Sequence, residues 1–287
     1  MRPQLSRAVL DRAAHRRTDP EWLGEAWTRS MVLVIDPETG HVGLTGEPAR
    51  IDYLKPAQAQ DGERLYLGGE EQPYFAVAAP VADGASLRDI GPQLSDFDAG
   101  VLTEALALVR WHADHRYHPG TGRPTEVGQG GWERRDGDQV VWPRTDPAVM
   151  VLITDGADRV LLANGENWAA DRYSCIAGFV EPGESAEAAC HREVGEEVGV
   201  AISDLTYVAS QPWPFPRSLM LAYEAVGDPE APIVVQPGEI AAARWFTRDE
   251  VGAALVGAEA PLRMPPSISI ARFLMERWVA QIEPSLG

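Results

Sequence analysis

Gly178-Phe179-Val180-Glu181-Pro182-Gly183-Glu184 leads, after seven further residues, into Arg192-Glu193-Val194-Gly195-Glu196-Glu197-Val198-Gly199-Val200. This stretch decides how the rest of the chain is read. The apolar spacing after Ser185 predicts a helix to Val198, stopped by Gly199. At about 100° per residue, Glu193, Glu196 and Glu197 share one face of it. Like charges at that spacing repel by roughly 0.2–0.5 kcal/mol per pair. They also sit near the negative end of the helix dipole. Gly195 inside the helix costs up to about 1 kcal/mol more. A segment that breaks several local rules together is a candidate functional site. Hard cations such as Mg²⁺ or Mn²⁺ turn clustered carboxylates into an asset, because two or more ions clamp a phosphoryl group and activate water. A solvated acidic face explains the helix alone equally well; the Gly-rich turn and Glu184 ahead of it favour metal.

The chain around it has 287 residues, 45% of them hydrophobic and 24% charged. That composition excludes a disordered chain or a collagen-like repeat and fits one or two globular domains. Two cysteines, Cys175 and Cys190, exclude a disulfide scaffold and suggest a reducing compartment, so a cytoplasmic location is expected. No apolar run approaches the ~20 residues of a membrane span, and residues 1–20 lack the apolar segment of a signal peptide. The formal charge is −18. Such a surface repels nucleic acid in general, so an anionic substrate needs local cations. Lys55 is the only lysine, which reads as the codon bias of a GC-rich genome more than as phosphate recognition.

Along the chain, Met31–Ile35, His41–Thr45, Arg64–Leu67 and Tyr74–Ala79 read as short strands, and Ser95–His112 has helical periodicity. Residues 117–138, rich in Gly, Pro and Arg, look irregular. After Asp146, strands are expected at Ala148–Thr154, Val160–Leu162, Leu205–Ser210, Leu219–Ala225 and Ala242–Phe246, with a last helix over Ser267–Ile282. Strands and helices in irregular order predict mixed α/β or α+β packing.

The spacing from Gly178 to Val200 resembles the Nudix box, with every fixed position of the motif filled. The resemblance implies an α/β/α sandwich that hydrolyses nucleoside diphosphates linked to another group, using two or three Mg²⁺ or Mn²⁺ ions. By the same likeness, Glu193 and Glu197 are the principal metal ligands, Glu196 a further one, and the Ala177 carbonyl a backbone ligand. Arg192 orients the glutamates, Glu184 braces loop and helix, and Glu239, from a later loop, is an additional ligand. Glu196 or Glu197 is the base.

Ten residues after the box lies Ser210-Gln211-Pro212-Trp213-Pro214-Phe215-Pro216-Arg217-Ser218. Its prolines fix φ and remove backbone donors, so Trp213 and Phe215 are held rigidly, a platform suited to stacking a base or nicotinamide. The order of residues resembles the signature of the NADH pyrophosphatase branch. That likeness implies that Gln211 to Ser218 line a dinucleotide pocket and that the bond cut lies in NADH or NAD⁺, giving nicotinamide mononucleotide and AMP. Removal of NAD caps from RNA 5′ ends, or hydrolysis of another derivative such as ADP-ribose, is the alternative. Trp142 stands where a substrate-stacking aromatic is expected, Ala271 at a backbone contact, and Arg88 at a phosphate or ribose contact. The branch implies a homodimer, a smaller N-terminal mixed β/α domain over 1–112, a linker over 113–145 and the Nudix domain over 146–287.

The branch pattern fails in that linker. Many members carry a zinc ribbon there, but residues 101–150 contain no cysteine. No structural zinc is expected, and His112, His115 and His118 lack a partner ligand at sensible spacing. A ligand-sensing regulator on the same fold would show eroded glutamates and a basic DNA-binding helix; neither is present.

Overall fold

The computed structural model describes residues 2–281. The chain divides into two compact units, one built mainly from Asp146–Gln211 and the residues from Leu219 onward, the other from Leu5–Thr145 together with Pro212–Ser218. The proline-rich loop is thus grouped with the N-terminal part of the chain, apart from its sequence neighbours.

In the first unit, a sheet runs in the order Ile202–Trp213, Ser218–Gly227, Asp146–Thr154, Arg159–Gly165, Ile240–Thr247, and Ile176–Phe179 pairs antiparallel with Asp146–Thr154. Alternation along the central strand assigns its two faces. Val149, Val151 and Ile153 pack with Ala189, Cys190, Val194 and Val198 of the helix Ala186–Val198. Met150 and Leu152 pack with Phe246, Val251, Leu274 and Trp278, which come from the last strand and the helices Arg248–Leu255 and Ile270–Ala280. Helices therefore cover both faces of the sheet, an α/β/α sandwich. Both cysteines are free and buried in these layers.

Several boundaries differ from the sequence reading. The last helix begins at Ile270, because Ser269 caps it by accepting the Ala271 amide; Ile282, its expected end, lies outside the described residues. Helix Arg248–Leu255 went unforeseen, although Thr247 and Glu250 form a reciprocal capping box. The strand Ile202–Trp213 continues through Gln211 and Pro212, beyond its expected end at Ser210. It lies at the sheet edge, where a missing N–H is tolerated.

The other unit holds a five-stranded sheet ordered Arg64–Gly68, Tyr74–Ala78, Met31–Ile35, His41–Val42, Ala85–Ser86, with Met31–Ile35 and Tyr74–Ala78 parallel. The expected strand over His41–Thr45 is split at Gly43: Leu44–Thr45 pairs instead with Arg50–Ile51. The helix Asp96–Asp114, capped by Ser95, buries Val101, Leu102, Ala105, Leu106 and Val109. Residues 117–138 are more regular than expected. Glu126–Gly128, Glu133–Asp136 and Gln139–Val141 form a three-stranded sheet. Asp136 faces Gln139 across a two-residue turn that Gly137 permits at φ 60. Charged side chains on these strands hid the alternation. Among the described residues no helix is long and apolar enough to cross a membrane.

Candidate active site

The box begins on the strand Ile176–Phe179 and turns into the helix Ala186–Val198, whose first turn is capped by the Ser185 hydroxyl accepting from the Ala188 amide. Gly199 ends the helix in the left-handed region at φ 70. Arg192 stands at the centre. Its Nε and Nη2 donate to the two oxygens of Glu184 at 2.8 and 2.9 Å. Its Nη1 donates to Glu193 at 2.8 Å and to Glu196 at 3.1 Å, and Nη2 also reaches the Phe179 carbonyl at 2.9 Å. One guanidinium thus binds three box carboxylates and the strand that precedes them. Hydrogen bonds from Arg192 and from the Glu181 amide hold the Glu184 carboxyl well down, to about 2. These contacts tie Glu184 to the helix through Arg192 and to its own turn through the Glu181 amide.

Gly178 makes room for Glu193. A Cβ at this position would stand 2.0 Å from the Glu193 carboxyl carbon. The Glu193 carboxylate therefore rests against the backbone at Gly178, and a side chain there would expel it. Gly195 is different: a Cβ added to it meets nothing within 4 Å, so packing does not demand a glycine there.

Glu197 is buried, at 5% exposure. Desolvation, followed by the charges of Glu193, Glu239 and Glu196, pushes its carboxyl up to about 8. Glu239 comes from the turn after Pro237-Gly238, which is tied to the box helix by the Gln236 amide donating to the Glu197 carbonyl at 3.1 Å. The structure thus brings Arg192, Glu193 and Glu196 into contact and sets Glu197 within reach of the charges of Glu193, Glu239 and Glu196.

Among the described residues no three His, Cys, Asp or Glu side chains converge closely enough to hold an ion as they stand. Glu193 and Glu196 are bound to Arg192 instead. The donor set nevertheless suits a hard divalent cation, since every candidate ligand is oxygen. A buried carboxylate pressed by neighbouring carboxylates is a place where positive charge is strongly favoured.

The predicted substrate residues are placed as follows. Gln211 is fully buried and donates to the Ile268 carbonyl at 3.1 Å, which makes its side chain a brace. Trp213 and Phe215 meet edge to face, ring centroids 4.9 Å apart, with Pro214 and Ser218 buried and Pro212 and Pro216 exposed. The Arg88 guanidinium lies 3.9 Å from the Phe215 centroid and 5.0 Å from that of Trp213, on the aromatic platform itself. Arg217 pairs with Asp114 at 3.1 Å. Trp142 is 56% exposed. Ala271 is buried, and its amide already donates to the Ser269 hydroxyl at 3.2 Å, which leaves that N–H committed to the helix cap.

Two residues that sequence reasoning missed also touch the loop. Arg110 donates to the Pro214 carbonyl, and Asp114 accepts from Arg217. Nothing in the sequence marks an Arg and an Asp one turn apart on a helix as partners of a loop a hundred residues later.

The three histidines serve separate ends. His112 Nε2 bonds the Gly131 carbonyl at 2.8 Å and its Nδ1 faces Arg134 Nη1 at 2.9 Å. His115 bonds the Trp111 carbonyl, and His118 accepts from the Gly120 amide.

A family profile described as the NUDIX domain matches residues 144–266. The chain is 39% identical, over 297 aligned positions covering 97% of it and 95% of the relative, to a protein of Mycobacterium bovis BCG named NAD-capped RNA hydrolase NudC. It is 40% identical over 206 positions to the mouse protein named NAD(P)H pyrophosphatase NUDT13, mitochondrial, covering 67% of this chain and 58% of that one. A Macaca fascicularis protein named NAD-capped RNA hydrolase NUDT12 matches at 37% identity over 68% of this chain and 44% of its own length. Nudix hydrolases generally work with divalent metal ions. With a filled box folded as described and relatives alike over nearly the whole length, the chain is an enzyme that belongs to the Nudix hydrolases, in their NADH pyrophosphatase branch.

Proposed function

We propose that this enzyme hydrolyses the pyrophosphate bond of NADH and NAD⁺ to nicotinamide mononucleotide and AMP, and cuts the same bond in the NAD cap of RNA 5′ ends, releasing nicotinamide mononucleotide and leaving a 5′-monophosphate RNA. The carrying observation is the cluster in which one arginine holds three box carboxylates while the buried Glu197 is kept short of positive charge. The names of the relatives support the choice of substrate.

Glu193, Glu196, Glu197, Glu239 and the Ala177 carbonyl would hold two or three Mg²⁺ or Mn²⁺ ions. Such ions neutralise the diphosphate and lower the pKa of attacking water. Arg192 keeps Glu193 and Glu196 oriented and is itself anchored by Glu184. Glu196 or Glu197 accepts the proton of the attacking water. The leaving group is a nucleotide phosphate and needs little acid assistance. Trp213 and Phe215, with Arg88 beside them, offer flat apolar area and a cation to a base or nicotinamide ring, and Trp142 offers a further exposed ring.

We further assign residues 1–112, 113–145 and 146–287 as N-terminal domain, zinc-free linker and Nudix domain, and read the protein as a cytoplasmic homodimer without membrane association. Two unpaired cysteines support the location.

The test is chromatography of NADH and NAD-capped RNA reactions with Mg²⁺, with Mn²⁺ and with chelator. Cleavage of NADH to two mononucleotides, and of capped RNA to nicotinamide mononucleotide and 5′-monophosphate RNA, only with metal, is expected. Intact substrate in every tube would reject the proposal.

A further inference from the structure

The loop Pro212–Ser218 is poor in hydrogen-bond donors. Of Pro212–Pro216 only Trp213 and Phe215 keep a backbone N–H, and that of Phe215 is spent inside the loop on the Trp213 carbonyl at 2.7 Å. Trp213 and Ser218 belong to neighbouring strands, but the turn between them, residues 214–216, has no N–H left for a backbone ladder. It has to be held by donors brought to its carbonyls.

The helix Asp96–Asp114 brings one. Arg110 donates to the Pro214 carbonyl, the carbonyl between the two aromatics, and its guanidinium carbon lies 5.2 Å from the Phe215 centroid. One turn further, Asp114 accepts from Arg217 at 3.1 Å, so the helix grips the loop on both sides of Phe215. Space has been cleared for the grip. Gly40 sits at φ 73, and a Cβ there would stand 2.9 Å from Arg110 Nη2 and 3.1 Å from Leu106. Burial and the nearby charge of Arg88 both disfavour the Arg110 cation, and its pKa is lowered accordingly. The protein keeps an arginine there against both effects.

We infer that Arg110, seconded by Asp114, is a positioning residue for the dinucleotide: through the Pro214 carbonyl it sets the Trp213–Phe215 pair in the orientation that receives a flat ring. This rests on the reading of the loop as part of the dinucleotide site. Arg110 touches no reacting atom, so its effect falls on substrate affinity and leaves the chemical step alone.

The experiment measures kcat and KM for NADH in Arg110→Met, Arg110→Lys, Asp114→Asn and, as reference, Trp213→Ala, each checked for an unchanged melting profile. A hydrogen bond from a charged donor makes the expected KM rise for Arg110→Met about tenfold or more. Its kcat should stay within about twofold of wild type. Arg110→Lys, which keeps a donor and most of the reach, should recover most of the loss. Asp114→Asn, on an exposed side chain, should raise KM by roughly two- to fivefold. A KM for Arg110→Met close to wild type, or a fall in kcat at constant KM, overturns the assignment. Should Arg110→Met not fold, a wild-type KM in Asp114→Asn overturns it equally. Trp213→Ala separates the two levels. If it is neutral, the loop does not hold the dinucleotide and the inference falls with that reading. If it raises KM while Arg110→Met does not, the role of Arg110 alone is rejected.

Discussion

Replacing Glu197 by Gln should stabilise the metal-free protein while abolishing turnover, and the gain should depend on pH. The Glu197 carboxyl sits at about 8 in the folded chain, raised first by burial and then by Glu193, Glu239 and Glu196, against an ordinary 4.5. A raised folded value means that stability is fully present below the unfolded value and is lost as pH rises through the folded one. Below pH 4.5 the group is protonated in both states and contributes no difference. From pH 4.5 to 8 the unfolded chain releases a proton that the folded chain keeps, which costs about 1.4 kcal/mol per pH unit. At pH 7 that amounts to about 3 kcal/mol, an upper figure because the unfolded ensemble is itself compact. For a unit of this size the glutamine variant should therefore melt several degrees higher at pH 8 in chelator, roughly 2–4 °C per kcal/mol, with the gap nearly closed at pH 5. Millimolar Mg²⁺ or Mn²⁺ should raise the wild type more than the variant, because bound ions stabilise the state that holds them. The assay is thermal unfolding followed by circular dichroism, paired with NADH turnover. A wild type as stable as the variant at pH 8 without metal, or a gap that does not change with pH, would falsify the placement of Glu197 in a carboxylate trap.

Three further outcomes are expected. Gly178→Ala puts a methyl group on the Glu193 carboxylate, so turnover should fall by two orders of magnitude or more while the fold survives; retained kcat would show that Glu193 is free to move. Gly195→Ala fills open space in a helix interior and should raise stability by about 1 kcal/mol in denaturant titration; destabilisation would reveal a contact that the structure lacks. Burial holds His112 neutral, down to about 4, and its Nδ1 faces the Arg134 guanidinium as an acceptor. A depressed value means stability present above the ordinary 6.5 and lost as pH falls, so melting temperature should drop between pH 6.5 and 4, and a His112→Gln variant should show a flatter acid limb. An identical acid limb in that variant would disprove the role.

The sequence made the box legible because its chemistry is local. Arg192, Glu193, Glu196 and Glu197 lie on one helix and Glu184 in the turn just ahead of it, so all five are neighbours in sequence. The unbroken apolar run over Ala148–Thr154 likewise announced a buried strand. What could not be read depends on partners distant in the chain. The Ala271 amide donates to the Ser269 hydroxyl, and the Gln211 side chain donates to the Ile268 carbonyl 57 residues away, partners that no local pattern announces. The grip of Arg110 on Pro214 joins positions 104 residues apart, which no periodicity encodes. In the linker, strands rich in Arg, Glu and Asp carry no apolar alternation. Arg134, buried among Thr125, Glu63 and His112, is held by hydrogen bonds that only the assembled unit supplies.

Arg192 has a consequence for how this enzyme meets its ions. The guanidinium serves Glu184, Glu193 and Glu196 as a resident counter-charge, while the charges of Glu193, Glu239 and Glu196 still press on Glu197. On the proposed metal reading, ions at Glu193 and Glu196 would have to displace the Arg192 cation from them, while its forked bond to Glu184 could persist as a pivot.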